Sequence, residues 1–258
     1  METNYSLNPI TPETLTPAHV GGLSLHEVTN TYGTLGLIHR LNGTLEQVGL
    51  ANNEQIEWAL QFGLMLHAND RRTNGHYTDH LLRVAIRIIE RYSITDSSII
   101  SAALVHDGPE DHAKEIVLAL SGEVVEDKAE ALEKSFELLP AFVGNDTTEI
   151  LRLVTAPDLP DDEHKLAAYQ EYTWKLITQS PAARVVKLSD FTDNAVGNHY
   201  TVGPKRRKLD IKYIDLYQLH RMGLFLPDSL ITGEARVYAL KQLTRGHARS
   251  LARIAMAA

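Results

Sequence analysis

Four separated segments of this chain carry histidine and carboxylate side chains, the residue types that bind divalent metal ions in proteins. In chain order they are HANDRRTNGHYTDH at 67–80, His106-Asp107, Glu110-Asp111, and VVKLSDFTDN at 185–194. A divalent ion held by two imidazoles and two carboxylates keeps free positions for water and for a phosphate oxygen. Such an ion lowers the pKa of bound water and neutralises charge on a transferring phosphoryl group. The segments therefore predict metal-dependent hydrolysis, provided that the fold brings them together.

The composition limits the available metals and ligands. The 258 residues include no cysteine, which excludes disulfides, thiolate metal sites and a cysteine nucleophile. His, Asp and Glu remain as the strong metal ligands. With 25 Lys+Arg against 33 Asp+Glu, the formal charge is −8, which disfavours long polyanions, so we expect no nucleic-acid partner. A small anionic nucleotide could still bind in a local basic pocket or on a metal.

No targeting or membrane segment is recognisable. The first thirty residues lack the basic start and the apolar stretch of a signal peptide, and nowhere do eighteen apolar residues follow one another. We therefore expect a cytoplasmic protein without a membrane partner. The length suits one catalytic-size domain with a single core and helical additions.

The elements that must position the metal-binding side chains have the periodicity of helices. Apolar residues recur at three- and four-residue spacing in 54–67 and in 78–94, on either side of a polar loop. Further helices are predicted at 113–120, 124–138, 146–155, 162–179, 182–197, 208–222 and 232–256. Because no convincing strand alternation appears, we expect an all-α fold. In a helical bundle, metal centres are built from inward side chains of facing helices.

The segment SSIISAALVHD at 97–107 predicts a helix that leads directly into the His-Asp pair. Its nearly continuous apolar character indicates burial on most sides. Thr95 or Asp96 can cap its start. We expect Gly108-Pro109 to end it, since glycine supplies a left-handed turn and proline lacks the N–H that a helix interior requires.

Three parts of the chain are distinguished by composition. Residues 1–50 are rich in Thr, Gly, Asn and Pro, which predicts a loosely structured N-terminal extension with only short helices. Residues 51–203 form the predicted core. Residues 204–258 form a helical segment that we expect to pack on this core, or on a second subunit, which leaves a homo-oligomer open. The basic run PKRRK at its start is either a solvated loop or a rim that collects phosphate.

The order of the metal-binding residues resembles that of a known family. His80, His106-Asp107 and Asp190 stand in the order H…HD…D of the HD phosphohydrolase superfamily. The words RRTNGHYTDH, ALVHDGPED and VVKLSDFTDN are similar to those of RelA/SpoT-type hydrolase domains, over about residues 55–200. This resemblance implies an all-α HD-domain bundle. Because little chain follows, it implies a likeness to the stand-alone small alarmone hydrolases, which remove the 3′-pyrophosphate of (p)ppGpp with a manganese ion.

The resemblance also implies roles for single residues. The implied ligands of a divalent metal, most readily Mn²⁺, are His80, His106, Asp107 and Asp190. Glu110 and Asp111 would orient or deprotonate the attacking water, a role that suits carboxylates beside a cation.

The implied substrate contacts lie in two of the segments. Arg72 stands where the family has an arginine against the guanine base, and Asn194 matches an asparagine that contacts the nucleotide. Arg71, next to Arg72, completes a pair suited to phosphate and base stacking. Tyr77 is a further candidate, either at the substrate or in packing and hydrogen bonding behind the ligands.

Departures from the family words leave alternatives open. Between Gly75 and His80 the chain is one residue shorter than the family word, Thr73 and Asn74 replace Lys-Ser, and Leu81 replaces a proline. The alternatives are an HD-type phosphohydrolase of another nucleotide, or an HD protein that senses a nucleotide without catalysis.

Single residues also have simpler interpretations. His67 can merely end its helix, His80 can be an ordinary first-turn histidine, and Asp190 can pair with Lys187 one turn earlier. The complete set, in the family order, favours the metal centre.

Overall fold

The computed structural model describes residues 15–72, 75–160, 162–201 and 203–256. Thr73 and Asn74, where the sequence departs from the family word, lie outside the described residues, as do residues 1–14 of the predicted N-terminal extension. The described chain is helical apart from one short hairpin, which confirms the expected all-α fold. No helix in these ranges is long and apolar enough to cross a bilayer.

The first half of the chain contains α1 (Pro17–Gly21), α2 (Leu25–Gln47), α3 (Glu54–Leu66), strands β1 (Arg71–Arg72) and β2 (Gly75–His76), α4 (Thr78–Tyr92), α5 (Ser97–Val105) and α6 (Gly108–Ser121). The second half contains α7 (Lys128–Leu138), α8 (Pro140–Val143), α9 (Asn145–Val154), α10 (Lys165–Gln179), α11 (Pro181–Phe191), a π-helical turn (Thr192–Val196), a 3₁₀ turn (Gly197–Tyr200), α12 (Pro204–Tyr213), α13 (Leu216–Gly223) and α14 (Gly233–Ala255). The strands pair antiparallel, Arg71 opposite His76.

The centre of the bundle is α4, which packs against α2, α5, α11 and α14. Its residues are buried on nearly every side. The neighbouring α5 is buried from Ile99 to Val105, as its apolar sequence predicts. The Asp96 side chain accepts hydrogen bonds from the backbone N–H groups of Ser98 and Ile99, so the predicted cap is confirmed.

The helix break predicted near Gly108-Pro109 is present, but its position and its backbone conformation differ from the prediction. Helix α5 already ends at Val105, and Gly108 begins α6 in place of a left-handed turn. Pro109 stands in the first turn of α6, where the missing N–H costs no helical hydrogen bond. The chain therefore turns at His106-Asp107, so this pair lies between two helices.

The prediction of only short helices before residue 50 is also wrong. Helix α2 extends over Leu25–Gln47, with a non-helical kink at Gly33. It begins with a reciprocal capping box between Ser24 and Glu27. Helix propensity in this Thr- and Gly-rich segment is weak, but burial of residues such as Leu37 and Leu41 against α4 outweighs it.

The predicted helix 208–222 is two helices, α12 and α13. The break lets α12 pack against α14 while α13 packs against α10. The polar loop after α3 contains the hairpin β1–β2, which the sequence did not indicate. The division into domains at 50 and 203 remains a prediction.

A buried carboxylate attaches the C-terminal helix to the segment that follows the π-helical turn. Asp210 of α12 accepts hydrogen bonds from Asn198 at 2.9 Å, Ser250 at 2.7 Å and Arg253 at 2.7 Å. Asp210 is only 1% exposed, so these partners compensate for its desolvation. Helix α14 thereby fixes the residues around Asn198, which border the candidate site.

Candidate active site

The four predicted metal ligands meet at one end of α4. His80 lies in the first turn of α4, His106-Asp107 form the turn between α5 and α6, and Asp190 lies in the last turn of α11. His80 Nε2 is 3.3 Å from Asp190 Oδ1 and 3.6 Å from Asp107 Oδ2. His106 Nε2 is 3.2 Å from Asp107 Oδ2 and 3.8 Å from Asp190 Oδ1. The fold therefore joins residues that are more than one hundred positions apart.

The two imidazoles fit a divalent cation. The Nδ1–H of His106 donates to the carbonyl oxygen of Ala103 at 2.8 Å, and that of His80 donates to Asp193 at 2.8 Å. Each Nε2 atom therefore faces the carboxylates, and neither has a hydrogen-bond partner in the described structure. Buried polar atoms without partners are rare. His80, His106 and Asp190 together present ligand atoms within 4.8 Å of one another, a mixed nitrogen and oxygen set.

The charges of the group are strongly coupled. Burial alone would lower the pKa of His106, but the Asp107 carboxylate outweighs burial and raises this pKa to about 10, so without an ion a proton occupies the nitrogen that a cation would bind. Burial would raise the pKa of Asp190, but the Lys187 ammonium and the imidazoles hold it well below its ordinary value. The carboxylates thus remain charged and demand positive charge between them, which a divalent cation supplies.

The ion pair between Asp190 and Lys187, the simpler interpretation of Asp190, is also observed. Lys187 Nζ lies 3.1 Å from Asp190 Oδ2, and both side chains are buried. The other oxygen, Oδ1, faces the two imidazoles. The ion pair and the metal-binding group therefore use different oxygens of the same carboxylate.

Asp193 is a site residue that the sequence analysis missed. Its Oδ2 accepts the Nδ1–H of His80, and it is also paired with Arg83 at 2.8 Å and Arg87 at 2.9 Å. Burial would raise the pKa of Asp193, and the Arg83 guanidinium together with these hydrogen bonds holds it well below the ordinary value. A carboxylate behind a ligating histidine fixes its tautomer and ring orientation. In the sequence, only the position of Asp193, one residue before Asn194 and three after Asp190, could have indicated this role.

Glu110 and Asp111 occupy the exposed first turn of α6, directly after the His-Asp turn. Glu110 Oε2 accepts a hydrogen bond from the backbone N–H of Ala156 at 3.1 Å. Partial desolvation, followed by the like charges of Asp107 and Glu110, raises the pKa of Asp111. A carboxylate with a raised pKa is a better proton acceptor.

Three of the predicted substrate residues form a chain of contacts, here called the bridge, that connects the carboxylates of Asp107 and Asp190. The Tyr77 hydroxyl donates to Asp107 Oδ2 at 2.8 Å, and the Arg72 guanidinium lies 4.6 Å from the Tyr77 ring centroid. Arg72 donates to Asn194 Oδ1 at 2.9 Å, and Asn194 Nδ2 donates to Asp190 Oδ1 at 2.5 Å. The bridge couples the hairpin to the metal-binding group.

The structure does not bring Arg71 into this bridge. Arg71 is exposed, and its guanidinium lies against the ring of His76 on the opposite strand.

A cavity of about 460 Å³ opens beside this bridge. Its walls include residues from the hairpin, α2, α4 and the segment after the π-helical turn: His26, Thr29, Asn30, Arg72, His76, Arg83, Asp193, Asn194, Gly197, Tyr200, Thr201, Lys205, Leu209 and Tyr213. Lys205 belongs to the basic run PKRRK, which starts α12. The volume lies in the range of small-molecule sites.

The contribution of α2 to this cavity had no signal in the sequence. His26 stacks on Tyr200 with ring centroids 3.9 Å apart, although 174 positions separate them. Burial lowers the pKa of His26 to about 4, so its ring is neutral at pH 7. The pair gives the cavity an aromatic portion of its wall.

No family model matches this chain, and no curated protein matches its sequence. Among solved structures, it is similar to a metazoan protein described as an ortholog of SpoT that hydrolyses ppGpp and plays a role in starvation responses. The TM-score is 0.53, the identity is 20%, and the match covers 74% of this chain and 94% of that protein. The two chains share a fold. This shared fold agrees with the expected all-α bundle.

We predict that Asp193→Asn weakens the binding of a divalent ion by about 10- to 100-fold, because His80 loses the charged acceptor that orients it. Calorimetric titration with Mn²⁺ measures this affinity. Asp79→Asn is the matched control. Asp79 precedes His80 in the chain and is also buried, but its carboxylate accepts a hydrogen bond from the Thr34 hydroxyl at 2.6 Å. Equal affinities in the two variants would contradict the role of Asp193.

Proposed function

We propose that this protein is a metal-dependent hydrolase that removes the 3′-pyrophosphate of (p)ppGpp and releases GDP or GTP with pyrophosphate. The observation that carries the proposal is the buried group His80, His106 and Asp190, with the half-buried Asp107 at its edge, near a cavity of about 460 Å³. The shared fold supports it, since the metazoan protein of that fold is described as hydrolysing ppGpp.

In this proposal, the residues that hold the ion are His80, His106, Asp107 and Asp190. We infer Mn²⁺ because the family resemblance implies it and because imidazole and carboxylate ligands suit this ion. When bound, the ion supplies Lewis-acid activation of water and neutralises charge on the phosphoryl group. Asp193 and Ala103 keep both imidazoles in the tautomer whose Nε2 lone pair faces the ion.

The carboxylates of α6 handle the proton of the attacking water. Asp111, with its raised pKa, accepts this proton as the water oxygen attacks the pyrophosphoryl phosphorus. The ribose 3′ oxygen leaves with the electron pair of the broken P–O bond and takes up a proton from solvent to become the 3′ hydroxyl. Glu110, held by the backbone N–H of Ala156, orients the water.

The cavity receives the nucleoside and its 5′ phosphates. Arg72 and Asn194 lie between the metal-binding group and the cavity, where they contact the nucleotide near its ribose and base. Lys205 contributes a cation on the cavity wall, and His26 with Tyr200 offers aromatic surface for stacking. The dimensions suit a single nucleotide, in keeping with an overall charge of −8 that repels nucleic acids.

The proposal predicts that the protein with Mn²⁺ converts ppGpp into GDP and pyrophosphate, as measured by separating the products on an anion-exchange column. Parallel incubations with pppGpp, 3′-phosphoadenylyl compounds and deoxynucleoside monophosphates test the alternatives. Cleavage of another nucleotide with no turnover of ppGpp would reject the substrate. Tight binding of ppGpp without product would favour the sensing protein.

We predict that two acidic variants separate metal binding from catalysis. Asp107→Ala should lose both Mn²⁺ binding and turnover, because it removes a ligand. Glu110→Gln should keep Mn²⁺ and lose kcat by about 10²- to 10⁴-fold, because a general base or water-orienting group is lost. Calorimetry and steady-state kinetics measure the two effects. If both variants keep wild-type activity, the catalytic centre lies elsewhere.

We predict that Arg72→Ala raises KM by roughly 10- to 100-fold with a smaller change in kcat, since a charged hydrogen bond contributes about 1.5–3 kcal/mol. Arg71→Ala is the informative comparison, because its guanidinium lies against His76 and outside the described cavity wall. Its KM should change less than twofold. A larger effect of Arg71→Ala than of Arg72→Ala would contradict the proposed orientation of the hairpin.

A further inference from the structure

A second group of metal-binding side chains lies on the other side of Tyr77. His67, Asp70 and His112 present ligand atoms within 4.8 Å of one another. His67 Nδ1 and His112 Nε2 each lie 2.7 Å from the same oxygen, Asp70 Oδ2. None of the three residues belongs to the catalytic centre proposed above.

The three side chains come from three different elements. His67 ends α3 and is 0% exposed, Asp70 precedes β1, and His112 lies in α6. The backbone of His112 departs from helical geometry, with φ −133° and ψ 31°, although the helix continues on both sides. Their convergence therefore depends on tertiary structure and on a local distortion of α6.

Hydrogen bonds within the protein do not satisfy His67. Its Nε2 atom is buried and has no partner, and the other Nε2 atoms in this condition among the described residues are those of His80 and His106. In this respect His67 resembles the two histidines of the first group.

We propose that His67, Asp70 and His112 form a second divalent-cation site that takes Zn²⁺. Two imidazoles and one carboxylate are a ligand set that Zn²⁺ binds in proteins, with water in the fourth position. This proposal does not depend on the proposed hydrolase activity.

The site would hold the base of the hairpin. The backbone N–H of Tyr77 donates to the carbonyl of Asp70 at 3.2 Å, which closes the hairpin. The rings of His67 and Tyr77 are stacked, with centroids 4.5 Å apart and planes 9° apart. An ion bound to Asp70 and His67 therefore connects α3 and α6 to the residue whose hydroxyl contacts Asp107.

The test counts bound Zn²⁺ by elemental mass spectrometry after free metal is removed. Asp190→Asn removes a ligand from the group of His80 and His106. His112→Gln removes a ligand from the group of His67 and Asp70, and the glutamine amide can still donate a hydrogen bond to Asp70. We expect two ions per wild-type chain, one in each single variant, and none in the double variant. With Co²⁺ in place of Zn²⁺, Asp190→Asn should show the visible absorption of a four-coordinate site, and the double variant should lose it.

Circular dichroism confirms that each variant is folded, and Asp70→Asn is a second variant with the same expected loss of one ion. If His112→Gln and Asp70→Asn bind as much Zn²⁺ as the wild type, or if Asp190→Asn binds no more than the double variant, the second site does not exist. The cluster would then be hydrogen-bonded only. Hydrolysis of ppGpp is measured separately, so failure of this site and failure of the proposed function are distinguishable.

Discussion

The structure depends on the desolvation of two imidazoles and two carboxylates at the end of α4. His80 and His106 direct their Nε2 atoms at Asp107 and Asp190, and no hydrogen bond in the described chain satisfies these nitrogens. Charged carboxylates at such depth are costly unless positive charge lies between them. The group is therefore stable in its buried position when a cation completes it, and the helices that hold it are organised around that requirement.

Two layers of contacts fix this group. Behind it, Asp193 holds His80 with the help of Arg83 and Arg87. In front of it, Tyr77 donates a hydrogen bond to Asp107 and Asn194 donates one to Asp190. Arg72 lies between Tyr77 and Asn194 and contacts both. A substrate that displaces Arg72 from Asn194 would thus act directly on two side chains that contact the metal-binding carboxylates. Under the proposed function, this arrangement would link recognition of the nucleotide to the geometry of the metal-binding group.

Local patterns in the sequence predicted the helices around the site, and the family resemblance named the candidate ligands that the structure brings together there. The apolar run of α5 and the cap at Asp96 follow from short-range rules, so both predictions hold. Asp193, the stacking of His26 on Tyr200 and the approach of His112 to Asp70 depend on contacts between distant segments. Helix α2 was missed for a similar reason, since burial against α4 outweighs its weak propensity. Patterns at a spacing of two to four residues contain no information about such contacts.

The most direct test of this account is a crystal structure of the protein grown with Mn²⁺, with anomalous scattering measured at the manganese edge. The account predicts a peak within bonding distance of His80 Nε2, His106 Nε2 and one carboxylate oxygen each of Asp107 and Asp190. A fully active protein whose manganese peak lies away from these four side chains would contradict it.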